Sequence, residues 1–196
     1  MPDGSSAPVR VRPDIVEAAT RLFSERGYHA ASMAQLAERV GMRKASLYHH
    51  VRKKEDLLFA IHERLIDELT ANTAAAIDPA MSPSEQVAAV LHVAMSFVAR
   101  NLDAVTVFLQ ERQAVTGERW TELVAKRDLY EHMVSGVIAA AIEDRAFISV
   151  PPAIATRGVL AMANWGYTWF DPDGALSADE VADVFARIAL RGLEVR

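Results

Sequence analysis

The sequence predicts an all-α protein, with a small N-terminal three-helix unit joined to a larger helical body. Three observations predict it. Apolar residues recur three and four positions apart through nearly every segment, which is the period of one helix face. Ser32/Gln35, Ser82/Glu85 and Ser177/Glu180 each have the spacing at which two side chains satisfy one another's backbone N–H groups at a helix start. Pro13, Pro83, Gly27 and Gly41 stand where such helices begin and end.

Residues 1–12 contain Pro, Gly and Ser without periodicity and read as a flexible arm. Arg10 and Arg12 there are candidates for a phosphate or minor-groove contact, with a plain disordered terminus as the alternative. Ile15, Ala18, Ala19, Leu22 and Phe23 then form the stripe of a first helix from Pro13 to about Arg26.

Residues 32–56 organise the head. Ser32 and Gln35 open a second helix, and Leu36, Ala37 and Val40 give it one apolar face. Gly41 follows, where a chain leaving a helix often needs positive φ. Leu47 and Val51 are the buried side of a third helix. Its other face carries Arg43, Lys44, Ser46, Tyr48, His49 and His50. Long donors, hydroxyls and an aromatic on two turns of helix suit a recognition helix in a DNA major groove. Lys53 and Lys54 precede Glu55-Asp56 and read as a phosphate clamp at the next helix start. A solvated polar face is the bland alternative.

The stretch Ser-Met-Ala-Gln-Leu-Ala-Glu-Arg-Val-Gly-Met-Arg-Lys-Ala-Ser-Leu-Tyr-His-His-Val-Arg-Lys-Lys-Glu-Asp-Leu-Leu resembles the DNA-binding signature of TetR-type regulators. The resemblance is specific over about residues 14–60. It implies that Tyr48, Lys54 and Ser32 hold phosphates. Family members often have Phe where this chain has Val51.

Length and charge agree. A chain of 196 residues, 51% hydrophobic, buries a real core. There are no cysteines, hence no disulfide, thiolate metal site or cysteine nucleophile. No apolar run approaches the roughly 20 residues of a membrane span. No membrane partner is expected, and the default expectation is a cytoplasmic protein. The net charge of −5 is divided unevenly. Residues 1–56 carry ten Lys/Arg and seven Asp/Glu, a net +3, and the remainder carries 11 and 19, a net −8. A basic head on an acidic body directs DNA to one end.

A long helix from Lys54 to about Ile77 joins head and body, with Leu57, Leu58, Ile61, Leu65 and Leu69 on its buried side. His62 reads as a partly exposed residue on it, with sensing of the ligand region as the alternative. Ser82 starts the next helix, a corner follows at Arg100–Asp103, and helix resumes through Val107 and Phe108. Gly117 interrupts again before a helix from about Arg119 to Arg145. Residues 149–152 are a hinge, Ile154 to Phe170 a further helix, Asp171–Gly174 a tight turn, and Ser177 the cap of a last helix to about Leu193. The six histidines make no metal array, and no glycine-rich phosphate loop or nucleophile elbow is present. No cofactor and no catalytic set is expected.

The last two helices are rich in small and apolar residues, and Trp165, Val181, Val184, Phe185 and Ile188 are candidates for a homodimer interface. A DNA reader of this type needs one, because it reads two half-sites about 34 Å apart. Phe97, Phe108, Tyr130, Met133, Trp165 and Trp169 are candidates to line an apolar cleft, with Arg112, Arg127 and Arg157 to meet an anionic group. Core packing competes for each aromatic and a surface ion pair for each arginine. The run from Ala161 through Asn164-Trp165, Trp169-Phe170 and Pro172 to Leu193 resembles the end of a TetR subgroup that responds to acyl-CoA thioesters in fatty-acid and steroid breakdown.

The expected organisation is therefore a flexible arm (1–12), a three-helix helix-turn-helix DNA-binding domain (13–54) and a helical ligand-binding and dimerisation domain (55–196). The expected function is a homodimeric repressor, not an enzyme, released from palindromic double-stranded DNA by a hydrophobic small molecule. Acyl-CoA thioesters are the effector class that the tail resemblance implies. Two rivals stand beside it: a helical enzyme for a hydrophobic thioester, and a helical carrier with a lapsed DNA head.

Overall fold

A computed structural model of the chain describes residues 11–194, apart from the Arg112 side chain. Most of the expected arm, Arg10 included, lies outside the described residues. The described part is helical throughout: α1 (Pro13–Arg26), α2 (Met33–Arg39), α3 (Lys44–His50), α4 (Lys54–Ala76), α5 (Pro83–Arg100), α6 (Leu102–Gln110), α7 (Gly117–Glu143), α8 (Pro152–Asn164) and α9 (Ala178–Leu193). Short 3-10 turns occupy Arg112–Ala114 and Trp165–Thr168. All three serine caps form as the spacing predicts, each accepting from the backbone N–H three residues on.

The head core joins Ile15, Ala19, Leu22 and Phe23 of α1 to Leu36 and Ala37 of α2, Leu47 of α3, Val51, and Leu57, Leu58 and Ile61 of α4. Val51 is fully buried there, so valine fills the site where relatives often have phenylalanine. The cluster does not stop at the head. Val107 of α6, Val115 of the following loop and Leu123 of α7 complete it. Head and body therefore share hydrophobic packing, and α4 belongs to both.

In the body, α5 lies at the centre and packs against α4, α7, α8 and α9. Val87 and Leu91 meet Ile138, Ala141, Val159 and Ala186. Met95 meets Phe170, Val181 and Ala182. The two ends of this layer are tied together where the Ile148 N–H donates to Leu193 O at 2.7 Å.

Two sequence expectations are corrected here. The helix expected to run to Phe170 stops at Asn164, where the chain tightens into the 3-10 turn. That turn seats Gly166 against α5, and a Cβ there would come within 3.3 Å of Met95 Cε, closer than ordinary packing allows. Val181, expected on a dimer face, is only 5% exposed and packs inside the monomer with Met95 and Phe170.

Candidate DNA-reading head and ligand cavity

The turn between α2 and α3 is built by backbone geometry. Gly41 has φ of 66°, its N–H donates to Glu38 O at 3.1 Å, and the Met42 N–H reaches Ala37 O at 2.8 Å. This pair of bonds satisfies the last carbonyls of α2 and needs a residue without Cβ at the left-handed position. Met42 then packs partly buried against the head core. Leu47 is fully buried under α3.

The opposite face of α3 is open. Arg43, Lys44, Ser46 and His49 are exposed, and Tyr48 is 42% exposed, uncommon for a large aromatic. Among the described residues these five side chains make no hydrogen bond or ion pair. Ser32 is exposed, and its hydroxyl is engaged by the Gln35 N–H at 3.2 Å. On the flank of the head, Arg39 holds Glu25 with two bonds of 2.9 and 2.6 Å.

Lys54, expected at a phosphate, is half-buried and bonds to the backbone of the α1–α2 corner. Its Nζ donates to the carbonyls of Tyr28 (2.6 Å), Ala31 (2.9 Å) and His29 (3.3 Å), and lies 4.4 Å from the centre of the Tyr28 ring. Desolvation in this nest lowers its pKa from the usual lysine value. The start of α4 is likewise filled from within. Asp56 Oδ2 accepts from the Lys53 backbone N–H at 2.8 Å, and Lys53 Nζ pairs with Glu55. One carboxylate, Asp56, thus takes a backbone N–H at the helix start that the sequence suggested for phosphate, and Glu55 engages the Lys53 ammonium beside it.

A cavity of 220 Å³ lies in the body between α4, α5, α6, α7 and α8. Leu65, Ile66, Phe97, Val105, Phe108 and Leu123 are among its apolar walls. Four of the sequence-predicted ligand residues line it: Phe97, Phe108, Arg127 and Tyr130. Met133 packs instead beside Tyr130 in a neighbouring cluster with Val90 and Leu160. Trp165 and Trp169 are separated from the cavity and line an open groove on the outer face with Arg157, Ala161 and Phe185. The Arg112 side chain lies outside the described residues.

His62 is the residue that the sequence reading undervalued. It is fully buried, lines the cavity, and meets Phe108 edge-on with ring centres 4.9 Å apart. Neither ring nitrogen has a hydrogen-bond partner. Burial drives its pKa down to about 4, so the ring is neutral at neutral pH, and the Val107 backbone offsets only part of that fall. Tyr130 is in a similar condition. Its hydroxyl is buried without a partner, and desolvation pushes its pKa up to about 12, tempered by Thr73, whose hydroxyl is also unpaired. Arg127 Nε, also at this cavity, makes no hydrogen bond but faces Glu131 Oε1 of the same wall at 4.0 Å. Arg127 and Tyr130 were expected at a ligand site from the sequence; His62 was not in that set, because it falls on a stripe that also reads as core.

Head and cavity are mechanically joined. Val107 of α6 packs in the head core while Val105 and Phe108 of the same helix line the cavity. Glu111, just past α6, accepts from the Tyr28 N–H at 3.1 Å. On α7, Arg119 bonds Asp56 at 2.6 Å and Lys126 bonds Glu63 and Asp67 of α4, while Trp120, Leu123 and Arg127 face the cavity.

Comparison with known proteins agrees with this architecture. Residues 15–61 match the family described as bacterial regulatory proteins, tetR family, and residues 80–193 match the tetracyclin repressor-like C-terminal domain. The chain is 26% identical over 193 residues to the HTH-type transcriptional repressor KstR2 of Rhodococcus jostii, covering 97% of this chain and 95% of that protein. It is similar in structure to the TetR family regulator PfmR of Thermus thermophilus, with TM-score 0.85, 34% identity and coverage of 92% and 99% of the two chains. It is also similar to AibR solved in complex with isovaleryl coenzyme A and operator DNA, with TM-score 0.83, 30% identity and coverage of 93% and 97%. The chain belongs to the tetR family of bacterial regulatory proteins and is a ligand-responsive, DNA-binding transcription regulator.

Proposed function

We propose that this regulator is a cytoplasmic homodimeric repressor, with no catalytic activity, that leaves a palindromic operator when a short acyl-CoA thioester binds. The observation that carries this reading is the double role of α6 and α7, whose side chains reach both the head core and the cavity wall. A ligand that widens the cavity acts on α6 and α7 directly, and through Val107, Glu111 and Arg119 on the head. It shifts the equilibrium only by its differential affinity for the two states, and roughly 5.5 kcal/mol is needed for a near-complete switch.

Arg43, Lys44, Ser46, Tyr48 and His49 on the free face of α3 are assigned to DNA. Tyr48 and Ser32 hold backbone phosphates, and Arg43 and Lys44 reach base edges. Lys54 is assigned a supporting role: it fixes the α1–α2 corner, and so the position of Ser32, without touching DNA itself.

Cavity size and the relative with isovaleryl coenzyme A together support the effector class. A cavity of about 150 Å³ holds one benzene. At 220 Å³ the space accepts a short branched chain or a substituted ring, and the coenzyme must stay outside. Leu109, Glu131, Leu160 and Asn164 belong both to the cavity wall and to the outer groove with Trp165 and Arg157, so the cavity lies directly beneath that groove. Two copies pair through the exposed stripe Ile154, Gly158, Ala161 and Trp165 of α8 and its neighbour, with Ile188 and Gly192 of α9.

The test is a titration of the protein against DNA upstream of its own gene at fixed salt, with and without short acyl-CoA thioesters. Sequence-specific binding released by one thioester supports the whole reading. Specific binding that no thioester disturbs removes the effector class. Binding no tighter than to random DNA at that site removes self-regulation through it.

A further inference from the structure

The cavity is apolar over most of its wall, and its polar lining includes His62, Arg127, Tyr130, Glu131 and Asn164. Arg127 faces Glu131, its Nε 4.0 Å from Oε1. His62 and Tyr130 differ from it: they are 0% and 6% exposed, and neither has a hydrogen-bond partner for its polar atoms. Buried polar groups in folded proteins are almost always hydrogen-bonded, so two orphans around one cavity require an explanation. Apolar residues of the same shape would fill these positions at no such cost. Their inventory is specific. The tyrosine hydroxyl donates once, and a neutral imidazole has one donor and one acceptor nitrogen. The pair offers two donors, so what completes it brings acceptor oxygen.

We infer that the group entering this cavity is not a plain hydrocarbon chain but a short chain or ring bearing a carbonyl-type oxygen, which His62 and Tyr130 read. The inference rests on the cavity being the effector's site and deepens that reading. Tyr130 and His62 are then specificity residues. The apolar walls supply most of the affinity, and the two donors reject a saturated analogue, because that analogue leaves them unpaired.

The experiment needs no coenzyme. Cyclohexanone and methylenecyclohexane are rings of the same shape that differ by oxygen against CH₂, and both fit the space. Their dissociation constants are measured from ligand-dependent melting shifts of the full-length protein, in wild type and in Tyr130→Phe. The ketone-to-alkene preference should fall roughly five- to tenfold in Tyr130→Phe, the value of one buried hydrogen bond. The unliganded variant should melt no lower than wild type, since it loses only an unsatisfied hydroxyl. His62→Leu should reduce the same preference and guards against a defect peculiar to one variant. An unchanged preference in both variants, or no binding of either ring to wild type, overturns the inference. A ketone preference in a protein that binds no acyl-CoA would overturn the thioester reading and leave this one standing.

Discussion

Arg119, on the first turn of α7, donates to Oδ1 of the buried Asp56 at 2.6 Å, while Oδ2 of that carboxylate accepts from the Lys53 backbone N–H. One side chain therefore caps the helix that carries the head and pins it to the helix that walls the cavity. Asp56→Ala removes both bonds and should cost about 2 kcal/mol, near the upper end for a lost cap and below a fully buried ion pair. Arg119→Ala leaves the cap in place and frees a side chain that is 36% exposed, so about 1 kcal/mol is expected. Urea unfolding of both variants checks the order. Equal losses would mean that the cap contributes little and the ion pair is the main term.

Tyr48 and Lys54 should separate in their effects. Tyr48→Phe touches an exposed hydroxyl without a partner and should leave stability within about 0.5 kcal/mol while weakening binding to all DNA sequences. Lys54→Met removes a cation from three carbonyls and should lower head stability by about 2 kcal/mol. Its DNA defect should follow from that loss. Arg43→Ala or Lys44→Ala should instead change base preference, with a salt slope reduced by about 0.9 only where a phosphate contact is lost. Paired melting curves and DNA titrations at two salt concentrations decide this. Normal stability in Lys54→Met together with a reduced salt slope would return that lysine to the phosphate.

What could be read in the sequence was what local chemistry specifies. Ser32, Ser82 and Ser177 cap their helices because the partner stands three residues on. Gly41 takes positive φ because the turn into α3 demands it. The carbonyl contacts of Lys54 could not be read, because its partners are 23 to 26 residues away and only the fold brings them together. His62 was misread because α4 is buried on two sides, by the head core through Leu58 and Ile61 and by the cavity wall through Leu65 and Ile66. A single stripe does not describe such a helix. Trp165 and Trp169 left the cavity for the outer groove because the chain tightens after Asn164, which helical spacing did not reveal.

His62 gives the protein a defined acid sensitivity. Its folded pKa is depressed to about 4, against about 6.5 when unfolded. Between those values the unfolded chain binds the proton and the folded chain does not, so stability falls as pH drops through 6.5 and levels off below about 4. The full effect is roughly 3 kcal/mol by pH 4. His62→Leu should remove this share, so that wild type and variant diverge between pH 6.5 and 4 in urea unfolding. Parallel curves over that range would show that the ring finds water or a partner when the cavity is empty.

The proposed dimer face on α8 and α9 can be told from the monomer core by exposure. Ile188 is 58% exposed and Trp165 64% exposed, although each is a large apolar side chain. Val181, seven residues before Ile188 on α9, is buried against Met95 and Phe170. Seven residues are about two turns, so both lie on nearly the same side of α9: Met95 and Phe170 cover that side at Val181, and it is open at Ile188. Ile188→Glu should therefore yield folded monomers in sedimentation velocity, with a helical circular-dichroism spectrum like that of wild type. It should also bind a palindromic operator far more weakly, since one head reads one half-site. Val181→Glu places a charge in the monomer core and should unfold the protein, at a cost of several kcal/mol. A dimeric Ile188→Glu protein with full operator affinity would move the two-fold axis off this face.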